Sequence, residues 1–223
     1  MSKVGALLFD LDGTIVDNMQ IHLQTWVKYF GSLGVHTNHK DINKSVAGKS
    51  TEEVLRYFLG PDLTQQQIVD HYNQKETLYK ELYYPVLQEI PGVTDLLKQA
   101  QSMGVPAAIA SNAGIDNIDF VLDNLQIREF FKAVVSIKDV EKGKPDPDVF
   151  LLAAKRLGVD PGECLAFEDS LFGLEAAFRA GMKAVAITTA HSAADLKKCP
   201  AVIKVINNFI GIDLSTVFED VPV

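Results

Sequence analysis

The stretch Val4-Gly5-Ala6-Leu7-Leu8-Phe9-Asp10-Leu11-Asp12-Gly13-Thr14 decides the fold. Its first part, Val4 to Phe9, is a near-continuous apolar run, the mark of a strand covered on both faces. Five further runs of this kind follow: Val105 to Ala110, Ala133 to Ser136, Cys164 to Phe167, Ala184 to Ile187 and Val202 to Ile206. Helix signals fill the gaps. Asp146-Pro147 places an N-cap before a proline at the first helical position. Val149, Phe150, Ala153, Ala154 and Leu157 then recur at helical spacing, and Gly158 closes that helix. Leu174, Ala177 and Phe178 make a similar face. This rhythm predicts the α/β class, with a doubly wound, Rossmann-like parallel-sheet core.

One region breaks the rhythm. Between Asn18 and Tyr84 there is no strand candidate. Met19, Leu23, Trp26, Val27, Phe30 and Leu33 make one helical stripe, and Leu55, Phe58 and Leu59 a shorter one. Thr64 reads as the N-cap of a polar helix running through Ile68, Tyr72 and Leu78. The expectation is an α/β core of residues 1–16 and 86–223, with an inserted all-helical cap domain over 17–85.

A chain of 223 residues needs neither disulfide nor structural metal to hold a core. Its 47% hydrophobic and 22% charged residues exclude a disordered chain. The formal net charge of −8 argues against nucleic acid as a partner, since phosphate backbones are held by excess lysine and arginine. No run approaches the ~18 apolar residues of a spanning helix, so no membrane role is expected. Cys164 and Cys199 make no disulfide framework, and Cys164 reads as a small buried residue. Only Lys3 precedes the short first apolar run, which does not make a secretory signal, so a cytoplasmic location is expected.

The first strand delivers Asp10 and Asp12 to its carboxyl end, where open α/β sheets bind ligands. Two carboxylates ~4 Å apart repel by about 4 kcal/mol at an effective dielectric near 20. A metal ion would offset this, or one carboxylate would hold a proton and act as a general acid. Alone, the pair equally fits a turn with solvated aspartates. The other strand ends narrow the choice. Ser111-Asn112 follows the second strand at a helix N-terminus that favours an anion. Lys144, beside the rigid Pro145, follows the third. Glu168-Asp169 follows the fourth and offers hard oxygen ligands that suit Mg²⁺. An acid pair, a hydroxyl with an amide, a lysine and a second acid pair therefore converge on one edge.

In this order and context the residues resemble the haloacid dehalogenase superfamily, in its phosphatase and β-phosphoglucomutase-like branch. The motifs that carry the resemblance are Phe9-Asp10-Leu11-Asp12-Gly13-Thr14, Ser111-Asn112, Gly143-Lys144-Pro145-Asp146-Pro147-Asp148 and Phe167-Glu168-Asp169-Ser170, followed by Gly173, Ala176, Ala177, Ala180 and Gly181. The resemblance implies covalent phosphoryl transfer, with Asp10 as nucleophile and Asp12 as acid and base. It implies a Mg²⁺ cofactor held by the side chains of Asp10 and Asp169 and the carbonyl of Asp12, with Glu168 assisting. Ser111, Asn112 and Lys144 would hold phosphoryl oxygens. The helical insert resembles the family's small mobile cap, where substrate choice would sit.

In that insert, His22 and Trp26 look like the histidine and tryptophan of β-phosphoglucomutases and some sugar phosphatases. Gly48-Lys49-Ser50-Thr51 resembles the cap's substrate-contacting loop. Thr51 stands where mutases carry an arginine, which counts against mutase activity, with Lys49 or Lys75 as replacement cations. The same four residues imitate the end of a P-loop, but the required glycine is Asn43 and no apolar strand precedes them. His36, His39, His71 and His191 show no metal-ligand spacing and read as solvent-facing.

The expected function is a Mg²⁺-dependent phosphatase acting on small phosphorylated metabolites, sugar or polyol phosphates, as a monomer. The alternatives are β-phosphoglucomutase, an inorganic pyrophosphatase and, outside enzymes, a phosphoacceptor or ligand-binding module.

Overall fold

The computed structural model describes residues 4–46 and 49–217. The chain divides into two compact units, Met1–Asp17 with Gln88–Val223, and Asn18–Leu87.

The first unit is built on six parallel strands: β1 (Ala6–Phe9), β2 (Ala107–Ala110), β3 (Phe131–Val135), β4 (Cys164–Glu168), β5 (Lys183–Ile187) and β6 (Val202–Ile206), in the order β3-β2-β1-β4-β5-β6. This is a doubly wound α/β sheet. The register places Phe9 opposite Ile109 on one side and Phe167 on the other, so β1 lies at the centre. The chain leaves β1 toward β2 and returns to its other flank at β4. The switch point, where such sheets open a ligand crevice, therefore falls at the end of β1.

Because strand side chains alternate between faces, the two faces of this sheet differ in kind. Ala6, Ala108, Ala110, Ala166, Ala184 and Ala186 lie in one buried cluster with Val149, Phe150, Leu174 and Ala177. Small strand residues let the flanking helices approach the sheet closely. Phe9 represents the other face, stacked on Phe167 at 4.5 Å between ring centroids and edge-on to Phe131 at 6.0 Å.

The helices are α1 (Met19–Ser32), α2 (His39–Val46), α3 (Thr51–Leu59), α4 (Gln65–Tyr83), α5 (Val93–Ser102), α6 (Ile115–Asn124), α7 (Asp148–Leu157), α8 (Leu171–Arg179), α9 (Ala193–Leu196) and α10 (Leu214–Val217). The sequence-based start of α7 is one residue early. Asp146 is not its cap: its N–H donates to the Gly143 carbonyl at 3.0 Å, which holds it in the preceding turn, and Pro147 occupies the N-cap position. Gly158 does end that helix, in the left-handed conformation.

The second unit is α1 to α4. Thr64 caps α4 reciprocally with Gln67, and Ser50 caps α3 with Glu53. Leu23, Trp26, Tyr29, Phe30, Ile42, Val54, Leu55 and Ile68 form its core. Met19 and Leu33, expected on the buried stripe of α1, are instead exposed. Helix α2 is not visible in the hydrophobic pattern, because Val46 and the fully buried Ile42 are its only apolar residues. Its local signal is Asn38, whose Oδ1 accepts from the Asp41 N–H at 3.0 Å. His71 departs from the solvent-facing expectation: its Nδ1 lies 2.6 Å from the Tyr29 hydroxyl. His36 and His39 are exposed, as expected, and His191 is half-buried. Among the described residues no helix is long and apolar enough to cross a membrane.

Candidate active site

Asp10 is the first residue past β1, and its N–H continues the sheet ladder by donating to the Phe167 carbonyl at 3.0 Å. Beyond it the chain folds back on itself. The N–H groups of Ile15 and Val16 donate to the Leu11 carbonyl, and Gly13 N–H donates to the Val16 carbonyl at 2.6 Å. Asp12 sits in this turn. Gly13 has φ +83°, and a Cβ there would run into the Asp169 carboxylate. Only glycine meets both demands.

Lys144 comes from the loop between β3 and α7, and its ammonium reaches the same point. Nζ lies 2.6 Å from Asp10 Oδ1 and 2.7 Å from Glu168 Oε2, with all three side chains buried. Glu168 ends β4. Its other oxygen accepts from Asp169 N at 3.1 Å, Ser170 N at 2.9 Å and Ser170 Oγ at 2.8 Å. Gly173, one turn into α8, leaves the space this carboxylate occupies, because a Cβ there would overlap it.

Asp10, Glu168 and Asp169 each offer an oxygen, and these oxygens lie within 4.8 Å of one another. Three buried carboxylates thus cluster beside one ammonium, which bonds two of them. Burial pushes Asp10 up to about 7 against the pull of Lys144. Burial, with Glu168 and Asp10 close by, pushes Asp169 up to about 9. Glu168 goes the other way: burial raises it, but the Lys144 charge and the bonds from Lys144 and Ser170 outweigh that and leave it below the ordinary range. Burial opposes the charge on Lys144, yet its two carboxylate partners prevail and keep it protonated. The donor set is all hard oxygen, negatively charged and under-neutralised, which fits a divalent cation such as Mg²⁺.

Ser111 follows β2 and is buried; its N–H donates to the Val135 carbonyl at 3.0 Å and its Oγ accepts from Ala113 N at 3.2 Å. The Asn112 carboxamide lies against the Lys144 backbone. Lys144 thus bonds to Asp10 and Glu168, Asp169 has an oxygen within 4.8 Å of theirs, and Asn112 is joined to the group through the Lys144 backbone. Thr189, beyond β5, is a further site residue that the sequence did not single out. Its hydroxyl donates to the Gly13 carbonyl at 2.6 Å and lies 3.2 Å from Asp169 Oδ2. The one available signal was its place at the end of a strand.

In the helical unit, His22 and Lys75 share one aromatic ring. His22 stacks on Tyr79 at 4.2 Å, and the Lys75 ammonium lies 5.5 Å from the same ring and 5.1 Å from that of Trp26. Lys75 also pairs with Glu76 at 2.7 Å. Asn18 Nδ2 donates to the Tyr79 hydroxyl at 2.7 Å. Lys49 lies instead 5.0 Å over the exposed Tyr57 ring. Gly48, the first residue of the loop expected around Lys49, lies outside the described residues.

Residues 7–187 match the family model for haloacid dehalogenase-like hydrolases. The chain belongs to this family. Within the family it is similar to the fructose-1-phosphate phosphatase YqaB of Escherichia coli, at 32% identity over 82% of this chain and 96% of that one. It is 33% identical to the β-phosphoglucomutase of Bacillus subtilis, over 82% of each chain. The crystal structure of a β-phosphoglucomutase from Clostridium difficile superposes with a TM-score of 0.83, at 25% identity, over 97% of this chain and 96% of that one. These similarities place this hydrolase in the phosphatase and β-phosphoglucomutase-like branch.

Proposed function

We propose that this chain is a Mg²⁺-dependent phosphatase that hydrolyses small phosphorylated metabolites, sugar or polyol phosphates, through an aspartyl-phosphate intermediate. As a hydrolase of its family it is a phosphoric monoester hydrolase. The observation that carries the finer reading is the Lys144 ammonium held between Asp10 and Glu168, beside a third carboxylate, at the switch point of the sheet.

Asp10 attacks phosphorus in line; the Asp10–phosphorus bond forms as the bond to the substrate oxygen breaks. Asp12 gives its proton to that oxygen, then takes one from the water that attacks the phosphorus and releases Asp10. A carboxylate approaching a phosphate dianion is repelled, and Lys144 beside Asp10 lessens the repulsion. Ser111, Asn112 and Lys144 make up the phosphoryl-binding set. Asp10, the carbonyl of Asp12, Glu168 and Asp169 would hold Mg²⁺. When bound, the ion supplies positive charge to the transferring phosphoryl group.

Substrate choice is assigned to the helical unit, with His22, Lys49 and Lys75 as its selectors. The fructose-1-phosphate phosphatase relative supports a sugar phosphate. Thr51 in place of the mutase arginine supports hydrolysis over mutase action. The same reading has the chain acting as a monomer in the cytoplasm.

The test is phosphate release with Mg²⁺ over sugar phosphates, polyol phosphates, nucleotides and pyrophosphate, with β-glucose 1-phosphate followed for glucose 6-phosphate. Free phosphate from sugar or polyol phosphates is the expected result. Isomerisation with little phosphate released would replace the reading with a mutase, and preference for pyrophosphate with a pyrophosphatase. No Mg²⁺-dependent turnover at all would leave a binding module.

A further inference from the structure

Lys144 needs to be fixed as well as present. It lies between Val135, the end of β3, and Asp148, the start of α7, past the short 3-10 turn Ile137–Asp139 and in no strand or helix itself. Two hydrogen bonds hold its backbone, and both come from one side chain. The Lys144 N–H donates to Asn112 Oδ1 at 2.9 Å, and Asn112 Nδ2 donates to the Lys144 carbonyl at 3.3 Å. A carboxamide has the same donor and acceptor as a peptide group, so Asn112 pairs with Lys144 as a neighbouring strand would. The loop is shaped for this contact. Gly143 leaves room for it, since a Cβ there would strike Asn112 Oδ1. The same two loops are joined again where Ile137 N–H donates to the Ala113 carbonyl at 3.3 Å. At its far end the Lys144 ammonium lies 4.8 Å over the Phe150 ring. Asn112 thus sets where the lysine starts, and Phe150, Asp10 and Glu168 surround the place where it ends.

We propose that the Asn112 side chain is a positioning group: it serves the phosphoryl group by fixing Lys144, and the direct contact of Asn112 with phosphate is left to its backbone N–H. The proposal rests on the reading of Lys144 as a phosphoryl-binding residue. Displacements of about 1 Å at such a group are enough to lose ~100-fold in rate, so a surface amide acquires leverage over the reaction.

The test is a double-mutant cycle on the full chain with Mg²⁺ present, reading the affinity for inorganic phosphate by calorimetry, so that inactive variants still report. Lys144→Ala is expected to weaken phosphate strongly, and Asn112→Ala to weaken it about tenfold in the wild-type background. In the Lys144→Ala background the further loss from Asn112→Ala should stay within about twofold, no more than the scatter of additivity between independent sites. An equal loss in both backgrounds would mean that the Asn112 side chain holds phosphate directly and would overturn the proposal while leaving the role of Lys144 intact. No loss from Lys144→Ala would overturn the role of Lys144 and the proposal with it. Hydrogen exchange at the Lys144 amide gives a second, binding-free measurement. It should quicken at least tenfold in Asn112→Ala and remain slow in Asn112→Asp, which keeps the acceptor. Equal exchange in all three proteins would overturn the positioning role.

Discussion

Glycine to alanine in a helix ordinarily stabilises a protein by about 0.4–1 kcal/mol, because alanine has less freedom to lose. Gly31 and Gly173 should respond to it with opposite sign. Gly31 lies in the last turn of α1, and a Cβ there meets nothing within 4 Å. Gly31→Ala should therefore stabilise by roughly 0.5–1 kcal/mol. At Gly173 the added carbon falls on the Glu168 carboxylate, which cannot move without loss. One of its oxygens accepts three hydrogen bonds and the other faces Lys144 at 2.7 Å. Hydrogen bonds to a charged group are worth about 1.5–3 kcal/mol each, so losing two removes roughly 3–6 kcal/mol. Alanine returns about 1 kcal/mol in helix propensity, leaving a net loss of about 2–5 kcal/mol. For a chain of this size that corresponds to a fall of roughly 4–20 °C in melting temperature. Urea denaturation followed by circular dichroism would measure both variants. Phosphatase activity should fall in Gly173→Ala as Lys144 loses one of its two partners, and should be unchanged in Gly31→Ala. A Gly173→Ala protein as stable and active as the parent would refute the account of Glu168 as a fixed anchor.

Asp10→Asn should abolish turnover and keep the fold, which steady-state assays beside circular dichroism would check; full activity would remove Asp10 as the nucleophile. Thr189→Val, which loses the bond to the Gly13 carbonyl, should weaken Mg²⁺ binding in calorimetry roughly tenfold, and Thr189→Ser should retain it. Burial pushes the Cys164 thiol up to about 11. At pH 8 the folded protein should therefore react with iodoacetamide at Cys164 roughly 100-fold more slowly than an ordinary thiol does. Because the thiolate is the reacting form, the rate should rise about tenfold per pH unit from 8 to 10, and mass spectrometry of the alkylated chain would report it.

The parts of the fold legible in the sequence are those with a strong one-dimensional pattern. The runs at Val4 to Phe9 and Cys164 to Phe167 are nearly unbroken because both faces of those central strands are buried. Strand β3 begins at Phe131, two residues before its expected start, because the exposed Lys132 interrupts the apolar run. Helix α2 was hidden because Ile42 and Val46 are too few apolar residues to establish a period. The candidate site was legible in outline, since topology requires that residues just past Phe9, Ala110 and Phe167 share an edge. Its fine structure was not. The Asn112 to Lys144 pairing joins residues 32 positions apart and depends on the register of β2 against β3. Thr189 reaches Gly13 across 176 positions, and a threonine after a strand carries no mark of that contact. Asp146 looked like a cap from its neighbours alone, and was claimed by a turn that only Gly143 in three dimensions explains.

The unequal faces of the sheet bear on how this chain can change over generations. The alanines of β1, β2, β4 and β5 act as a spacer of fixed thickness: a larger side chain would lift α7 or α8, and with them the ends that frame Lys144 and Glu168. Substitution there has almost nowhere to go. The rings of Phe9, Phe131, Phe167 and Phe209 fill the other side by mutual contact, and a shortened side chain there would leave a cavity. Drift that preserves catalysis is thereby steered away from both faces of the sheet and toward the helical unit. A lineage built on this architecture would diversify its substrates while the spacing beneath Asp10 stayed the same.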